Sequence, residues 1–342
     1  MRAALFPTPG EIEIVERETP SPLEWHALVR VEACGVCGTD LHIFEGEFPA
    51  QFPLIPGHEF AGVIEQVGQG VSAFRPGDRV VIDPNLNCGT CRPCQRGLTH
   101  LCRNLVSFGV TLDGGFSTHC SLPARQLYKM PSQMSFEVGA MTEPVACCVH
   151  GIERAQVRPG EVAVLLGAGL IGLVMLQLAL LRGAAAVIVS EPDAEKRNLA
   201  MALGASATVD PKGEDLMAVV RKATGGLGAD VVIDCVGGAE TAQQAVGLAG
   251  EGGRVLLFGV APPDAEVTIR PYDVYAREIV ITGSFINPFT HGAALALLAS
   301  GRVKVSEIIS HRMTLEQMPE ALEMLKARQA RKIIVEPQRG EA

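Results

Sequence analysis

Val162-Ala163-Val164-Leu165-Leu166-Gly167-Ala168-Gly169-Leu170-Ile171-Gly172 passes from five apolar residues into a Gly-x-Gly-x-x-Gly loop and on into an apolar run that ends at Leu181. Five apolar residues closed by glycine predict a buried strand, and 170–181 has the length of a helix. The glycine pattern alone is weak, since it arises often by chance. Placed between a strand and a helix it is what a dinucleotide site needs: the glycines permit a tight turn and close approach, and the helix N-terminus faces the pyrophosphate. Glu191 closes the next apolar run, about 20 residues on, where a carboxylate accepts hydrogen bonds from the adenosine ribose. Gly167, Gly169, Leu170, Ile171, Gly172 and Glu191 are therefore the cofactor-binding candidates. The charge of Glu191 opposes a 2′-phosphate and favours NAD over NADP, while Lys196 and Arg197 keep NADP open and place Arg197 among the candidates. Residues 162–181 carry no charge and could reach across a bilayer, but the patterned glycines and the apolar run that follows speak against a membrane span.

Outward from this unit the rhythm persists toward the C-terminus. Strands are predicted at 186–189, 231–234, 254–258 and 279–281, with helical runs between them such as 195–203, and such alternation specifies a parallel sheet covered on both faces. Asp234 ends one of these strands and reads as a turn cap or a ligand contact. Toward the N-terminus the pattern is different: short β-rich runs at 12–15, 27–31, 62–67 and 79–82, with Pro56-Gly57 and Pro76-Gly77 marking turns. From Thr290 a helix, a strand-like Ile308-Ile309, a helix over 315–328 and a last strand at 332–335 are expected. A chain of 342 residues, 47% hydrophobic and 20% charged, has material for two cores, so the fold class is α/β with a second, irregular β domain.

Two clusters of metal-binding side chains stand in the β half. Cys88, Cys91, Cys94 and Cys102 lie close together, and four thiolates at loop spacing make a closed tetrahedral zinc site in a lobe with almost no apolar core. An iron–sulfur cluster matches the spacing of the first three cysteines but not that of the fourth, which also lacks a following proline. A nucleic-acid zinc ribbon fits the ligands too. The second cluster runs from Cys34 to Gly62. It carries Cys37, Thr39, Asp40, His42, His58 and Glu59 on a segment that Gly35, Gly38, Pro56 and Gly57 keep from being regular. A thiolate, an imidazole and a carboxylate suit a borderline-soft divalent ion, and a catalytic zinc keeps a position open. A buried structural cysteine and a satisfied loop histidine are the plainer alternative for Cys37 and His58. The third ligand is Glu59 or, from far along the chain, Glu143. Thr39 and His42 follow Cys37 at offsets that allow a hydroxyl-to-imidazole proton path. Four loop phenylalanines, Phe44, Phe48, Phe52 and Phe108, border a pocket or pack as a satellite core.

The formal net charge of −9 and pI near 5.5 work against a phosphate-backbone partner and so against the ribbon, and aromatic residues at 5% leave little for stacking bases. Neither nucleic acid nor membrane is expected as a partner. The first ten residues lack the apolar core of a secretory signal, and ten cysteines without one point to metal binding or free thiols. The cytoplasm is the expected address.

With these motifs in place, Gly-Val-Cys-Gly-Thr-Asp at 35–40, Pro-Gly-His-Glu-Phe-Ala-Gly at 56–62, the four clustered cysteines and the glycine loop, the chain resembles the zinc-dependent medium-chain dehydrogenase/reductase superfamily over essentially its full length. It is most similar to the sorbitol and other polyol dehydrogenases, with threonine and alcohol dehydrogenases as near relatives. The resemblance implies a GroES-like β-rich catalytic domain of residues 1–150 and 290–342, with a structural zinc lobe at 85–105. It also implies an inserted Rossmann domain, a doubly wound parallel sheet, at 151–289, with the active site in the cleft. It puts Cys37 and His58 at the catalytic zinc, lets Glu59 or Glu143 complete the sphere, and leaves Cys147 and Cys148 off the metal. An acid at Glu143, where the alcohol dehydrogenases have cysteine, points away from simple alcohols. The implied reaction is reversible hydride transfer from a secondary alcohol, a polyol or sugar alcohol, to NAD, with two zinc ions per chain. Thr39 passes the hydroxyl proton through the cofactor ribose to His42. Relatives pair the last strand of the inserted domain, here near 279–285, into dimers or tetramers. A zinc-free quinone-reductase relative and a dinucleotide-sensing zinc protein without chemistry are the alternatives.

Overall fold

The computed structural model describes residues 1–340, and the chain divides into two compact units: Met1–Ala146 with Pro288–Ala342, and Cys147–Asn287. The first unit is built on a seven-stranded sheet. Its strands run in the order His311–Met313, Ile333–Val335, His26–Gly35, Glu59–Val67, Arg79–Ile82 and Leu127–Lys129, and His119–Pro123 also pairs with His26–Gly35. His26–Gly35 is the hub, antiparallel to three partners. Its far end is the important one: Gly35 lies opposite Glu59 on one side and Ile334 on the other, so three distant segments of chain meet there. Phe6, Phe60, Phe116, Leu28, Ile55 and Ile64 are fully buried around this sheet. Each apolar side chain of that size contributes about 1.5–3 kcal/mol when taken out of water, which is what fixes loops otherwise rich in glycine and proline.

The β-runs read from sequence form Glu13–Glu16, His26–Gly35, Glu59–Val67 and Arg79–Ile82. Ile308-Ile309 does not form a strand. Both residues are buried, but their backbone N–H groups close a turn onto the Val305 carbonyl, and the strand begins later, at His311–Met313. Burial without a neighbouring strand gives the same apolar signal as a strand. The helix expected over 315–328 is shorter, Met318–Lys326. Phe44 ends the helix Gly38–Phe44 and meets Phe6 edge-on at 5.7 Å, while Phe48, Phe52 and Phe108 pack against the same core, so the phenylalanines are core packing.

The second unit is a six-stranded sheet in which every neighbouring pair is parallel. The order is Ala207–Val209, Ala186–Ser190, Val162–Leu166, Ala229–Asp234, Ala249–Leu257 and Val280–Gly283. The strand order therefore reverses direction beside Val162–Leu166, and open parallel sheets bind ligands at the carboxyl ends of the strands flanking such a switch. Leu170–Leu181 is a helix of 12 residues, most of them buried. Among the described residues no helix is long and apolar enough to cross a membrane. Asp193 and Asp215 start the helices Ala194–Ala202 and Leu216–Ala223, their carboxylates accepting from Lys196 N at 3.0 Å and Ala218 N at 3.2 Å.

Candidate metal centres and dinucleotide site

At the meeting point in the first unit, the chain leaves the His26–Gly35 strand, turns at Cys37 and enters the short helix Gly38–Phe44. The partner strand Glu59–Val67 starts directly after His58, and Gly57, at φ +93°, makes the turn that aims His58 inward. A Cβ at Gly57 would lie 2.8 Å from Cys34 Sγ, so glycine is required twice over, by conformation and by space. One ligand atom each from Cys37, His58 and Glu59 falls within 4.8 Å of the others. Glu143, though buried, is not one of this three.

Two further side chains organise the cluster. Asp40 is completely buried; its Oδ2 accepts the Cys37 N–H at 2.8 Å and its Oδ1 lies 3.5 Å from His58 Nδ1. Lys332, on the threshold of the strand Ile333–Val335, donates its ammonium to the Glu59 carboxylate and to the Val36 carbonyl, the latter at 2.9 Å. Burial pulls the His58 imidazole down, yet Asp40 and Cys37 beside it outweigh burial and hold it well above its ordinary value. Burial likewise pulls the Lys332 ammonium down, and Glu59 and Cys37 more than restore it. Asp40 and Glu59 are thus two buried carboxylates beside the half-buried Cys37 sulfur, and the Lys332 ammonium is bonded to Glu59. The sulfur, nitrogen and oxygen donors, brought within 4.8 Å of one another, fit a divalent ion held by Cys37, His58 and Glu59.

Thr39 and His42 lie on the helix Gly38–Phe44 three residues apart, a separation that puts side chains on one face. The Thr39 hydroxyl is 3.8 Å from Cys37 Sγ. His42 is half exposed, and its Nδ1 is 2.7 Å from Glu47 Oε2.

The four clustered cysteines form a second centre in the same unit. Sγ–Sγ separations of 3.4, 3.5 and 3.8 Å link Cys91 to Cys94, Cys102 to Cys88 and Cys91 to Cys102, and all four thiols are free. Four sulfurs about 2.3 Å from one zinc ion stand roughly 3.8 Å apart, so the cage is sized for a single ion. An iron–sulfur cluster needs its cysteine sulfurs spread around several atoms. Backbone donors from Thr90 and Cys91 pull the Cys88 thiol down to about 5, preparing it as a thiolate, whereas burial pushes Cys94 up to about 12.

In the second unit, Gly167 takes φ +96° and Gly169 opens the helix Leu170–Leu181. At Gly172 a Cβ would sit 2.0 Å from the Gly167 carbonyl oxygen, so only glycine lets the helix start this close to the loop. Glu191, 7% exposed, reaches back into the loop: Oε2 accepts the Ala168 N–H at 2.8 Å and Oε1 the Asp193 N–H at 3.0 Å. Arg197 donates to the Glu191 carbonyl at 2.7 Å and pairs with Asp210 at 3.3 Å. Asp234 accepts from the backbone of Val236 and from the Thr241 hydroxyl, at 2.9 and 3.1 Å, which is the turn-cap role.

Asp40 carried no assigned role in sequence, and Lys332 carried none at all. The available signal for Lys332 was a lysine opening an otherwise wholly apolar run, Ile333-Ile334-Val335.

A parallel sheet with a glycine-loop switch point in one unit, and a single-ion cysteine cage and a thiol–imidazole–carboxylate cluster in the other, define a zinc-binding, dinucleotide-binding dehydrogenase. Residues 24–132 match the alcohol dehydrogenase GroES-like domain and residues 171–300 the zinc-binding dehydrogenase domain. D-arabinitol dehydrogenase 1 of Uromyces fabae is 34% identical over 98% of this chain and 97% of that protein. L-threonine 3-dehydrogenase of Pyrococcus furiosus is 33% identical over 94% of each. A solved structure described as a zinc-binding dehydrogenase of Sinorhizobium meliloti 1021, bound to NADP, is 41% identical and covers 98% of this chain and 99% of that one, with a TM-score of 0.95. The chain belongs to the zinc-dependent medium-chain dehydrogenase/reductase superfamily, with a GroES-like unit and a Rossmann unit.

Proposed function

We propose that the protein oxidises a secondary alcohol of a polyol or sugar alcohol, reversibly, with NAD as hydride acceptor. The observation that carries this reading is the group of half-buried Cys37 with buried His58 and Glu59, whose ligand atoms lie within 4.8 Å of one another, with the Thr39 hydroxyl 3.8 Å from the Cys37 sulfur. When bound, a zinc ion there supplies the Lewis acidity that makes an alcohol proton labile near neutral pH, and the dinucleotide supplies the acceptor carbon. Cys37, His58 and Glu59 hold that ion, and Asp40 orients the first two. The Thr39 hydroxyl would accept the substrate's hydroxyl proton while passing its own, through the cofactor ribose, to His42, which is open to solvent and held by Glu47 and is the base through which the proton leaves. Cys88, Cys91, Cys94 and Cys102 hold a second, structural zinc.

Gly167, Gly169, Leu170, Ile171 and Gly172 form the pyrophosphate cradle, and Glu191 receives the adenosine ribose. Its negative charge supports NAD over NADP, with Arg197 turned toward Asp210. Similarity to an arabinitol dehydrogenase supports a polyol substrate; similarity to a threonine dehydrogenase favours L-threonine as the second reading. A homo-oligomer joined through the sheet edge at Val280–Gly283 is supported by exposed apolar side chains there, Val280 and Phe285 among them. The cytoplasm remains the address that fits a chain with so many free thiols.

The test is reduced-nicotinamide formation across pentitols, hexitols, L-threonine and short alcohols, each with NAD and with NADP. Turnover of polyols with NAD is the expected result; turnover of L-threonine alone selects the second reading. Activity retained by Cys37→Ala at one zinc per chain would overturn the metal assignment.

A further inference from the structure

The side chain of Lys332 is 3% exposed, and Glu59, its partner, is 1% exposed. Lysine reaches this depth because the strand Ile333–Val335 pairs Ile334 with Gly35, which delivers the ammonium to the end of the hub strand. Space is made for it: a Cβ at Gly35 would lie 2.2 Å from Glu59 Oε2 and 2.8 Å from Lys332 Cε. A side chain at position 35 would therefore push the carboxylate and the ammonium apart.

We propose that Lys332 is a positioning residue that competes with the metal for the Glu59 carboxylate. Glu59 is thereby kept within the metal's reach yet bound weakly enough to yield its place to a substrate hydroxyl. This rests on the reading of Cys37, His58 and Glu59 as the metal's ligands. A fixed positive charge against the carboxylate, here on Oε2, draws on the same anion as the ion and repels the ion itself, and burial leaves that repulsion poorly screened. Cys37 and His58 supply the ion's other two ligands, so it stays without full use of Glu59. A merely structural lysine has the opposite consequence: removing it would strand a buried carboxylate, loosen the site and release metal faster.

The sign of the change in metal release tests this. Zinc-loaded native protein, Lys332→Met, Lys332→Gln and Glu59→Gln are mixed with a chromophoric chelator, and zinc release is followed in time, with the cysteine-cage zinc as internal reference. The expected result is release from the Cys37 site at least tenfold slower in Lys332→Met than in native protein. Lys332→Gln, which keeps a donor for the Val36 carbonyl, gives the same direction should the methionine variant not fold. Release as fast as native, or faster, in a folded Lys332 variant overturns the proposal. Glu59→Gln is expected to release at least tenfold faster; if it matches native protein, the ligand reading itself is wrong.

Discussion

Nδ1 of His58 lies 3.5 Å from Oδ1 of Asp40, with both groups buried, while the second oxygen of the same carboxylate accepts the Cys37 N–H at 2.8 Å. One anion thus orients two of the three proposed ligands, which come from separate loops, one after the strand His26–Gly35 and one before the strand Glu59–Val67. Carboxylates behind a ligating imidazole fix its ring and raise its basicity, and their loss typically costs about 10- to 100-fold in metal affinity. Asp40→Asn, nearly isosteric but uncharged, is expected to weaken zinc at the Cys37 site by that factor while leaving the cysteine-cage zinc untouched. Chelator competition on both sites measures it, and equal affinities in variant and native protein would remove Asp40 from this role.

The dinucleotide unit was legible because its signals are local. The glycine loop, the strand before it and the helix after it occupy one short segment, and the acid at Glu191 follows one strand later. The cysteine cage was legible for the same reason. The proposed catalytic cluster was only half legible, since spacing could not choose between Glu59 and Glu143; what favours Glu59 is the register that sets Gly35 opposite it. Lys332 escaped entirely, because its partner lies 273 residues away and only the closing of the last strand onto Gly35 brings them together. Ile308-Ile309 misled for a related reason: apolar character reports burial, and burial here comes from a turn.

The cysteine cage holds a lobe with few apolar side chains of its own. Structural zinc contributes on the order of 10 kcal/mol to small metal-held modules, far more than such a lobe gains by packing. Cys94→Ala is therefore expected to lower the zinc content from two to one per chain and to open residues 85–105 to proteolysis. Metal analysis and limited digestion check it. A variant that keeps two zinc ions and resists the protease would refute the assignment.

Both oxygens of Glu191 are fixed by backbone donors, from Ala168 and Asp193, before any ribose arrives. Glu191→Gln keeps the shape and removes the charge. Hydrogen bonds to charged groups are worth about 1.5–3 kcal/mol, so KM for NAD is expected to rise about tenfold or more with kcat nearly unchanged. The same change removes the repulsion toward a 2′-phosphate, and the ratio of kcat/KM for NADP to that for NAD is expected to rise by at least tenfold. Steady-state kinetics with both cofactors decide; an unchanged ratio would mean that Glu191 does not face the ribose.

His291 is wholly buried, stacked on Tyr128 at 5.5 Å between ring centroids, with Nδ1 3.5 Å from Asp83 Oδ2. Burial pulls the imidazole down to about 3, and burial pushes the Asp83 carboxyl up to about 6. The two act on stability in opposite senses. As pH falls below the ordinary histidine value of about 6.5, the unfolded chain takes up a proton that folded His291 refuses, so stability is lost down to about pH 3. As pH falls from about 6 to about 4, folded Asp83 takes up its proton before the unfolded chain does, so stability is gained. Between about pH 4 and 6 the pair nearly cancels. His291→Phe keeps the ring stacked on Tyr128 and removes only the loss. Relative to native protein, the variant is therefore expected to gain about 1.4 kcal/mol for each pH unit below 6.5. Urea unfolding of both chains at pH 7, 6 and 5 measures the difference. If it stays constant across that range, the His291 imidazole is protonated in the folded protein at the same pH as in the unfolded chain, and its burial does not set the acid limit of stability.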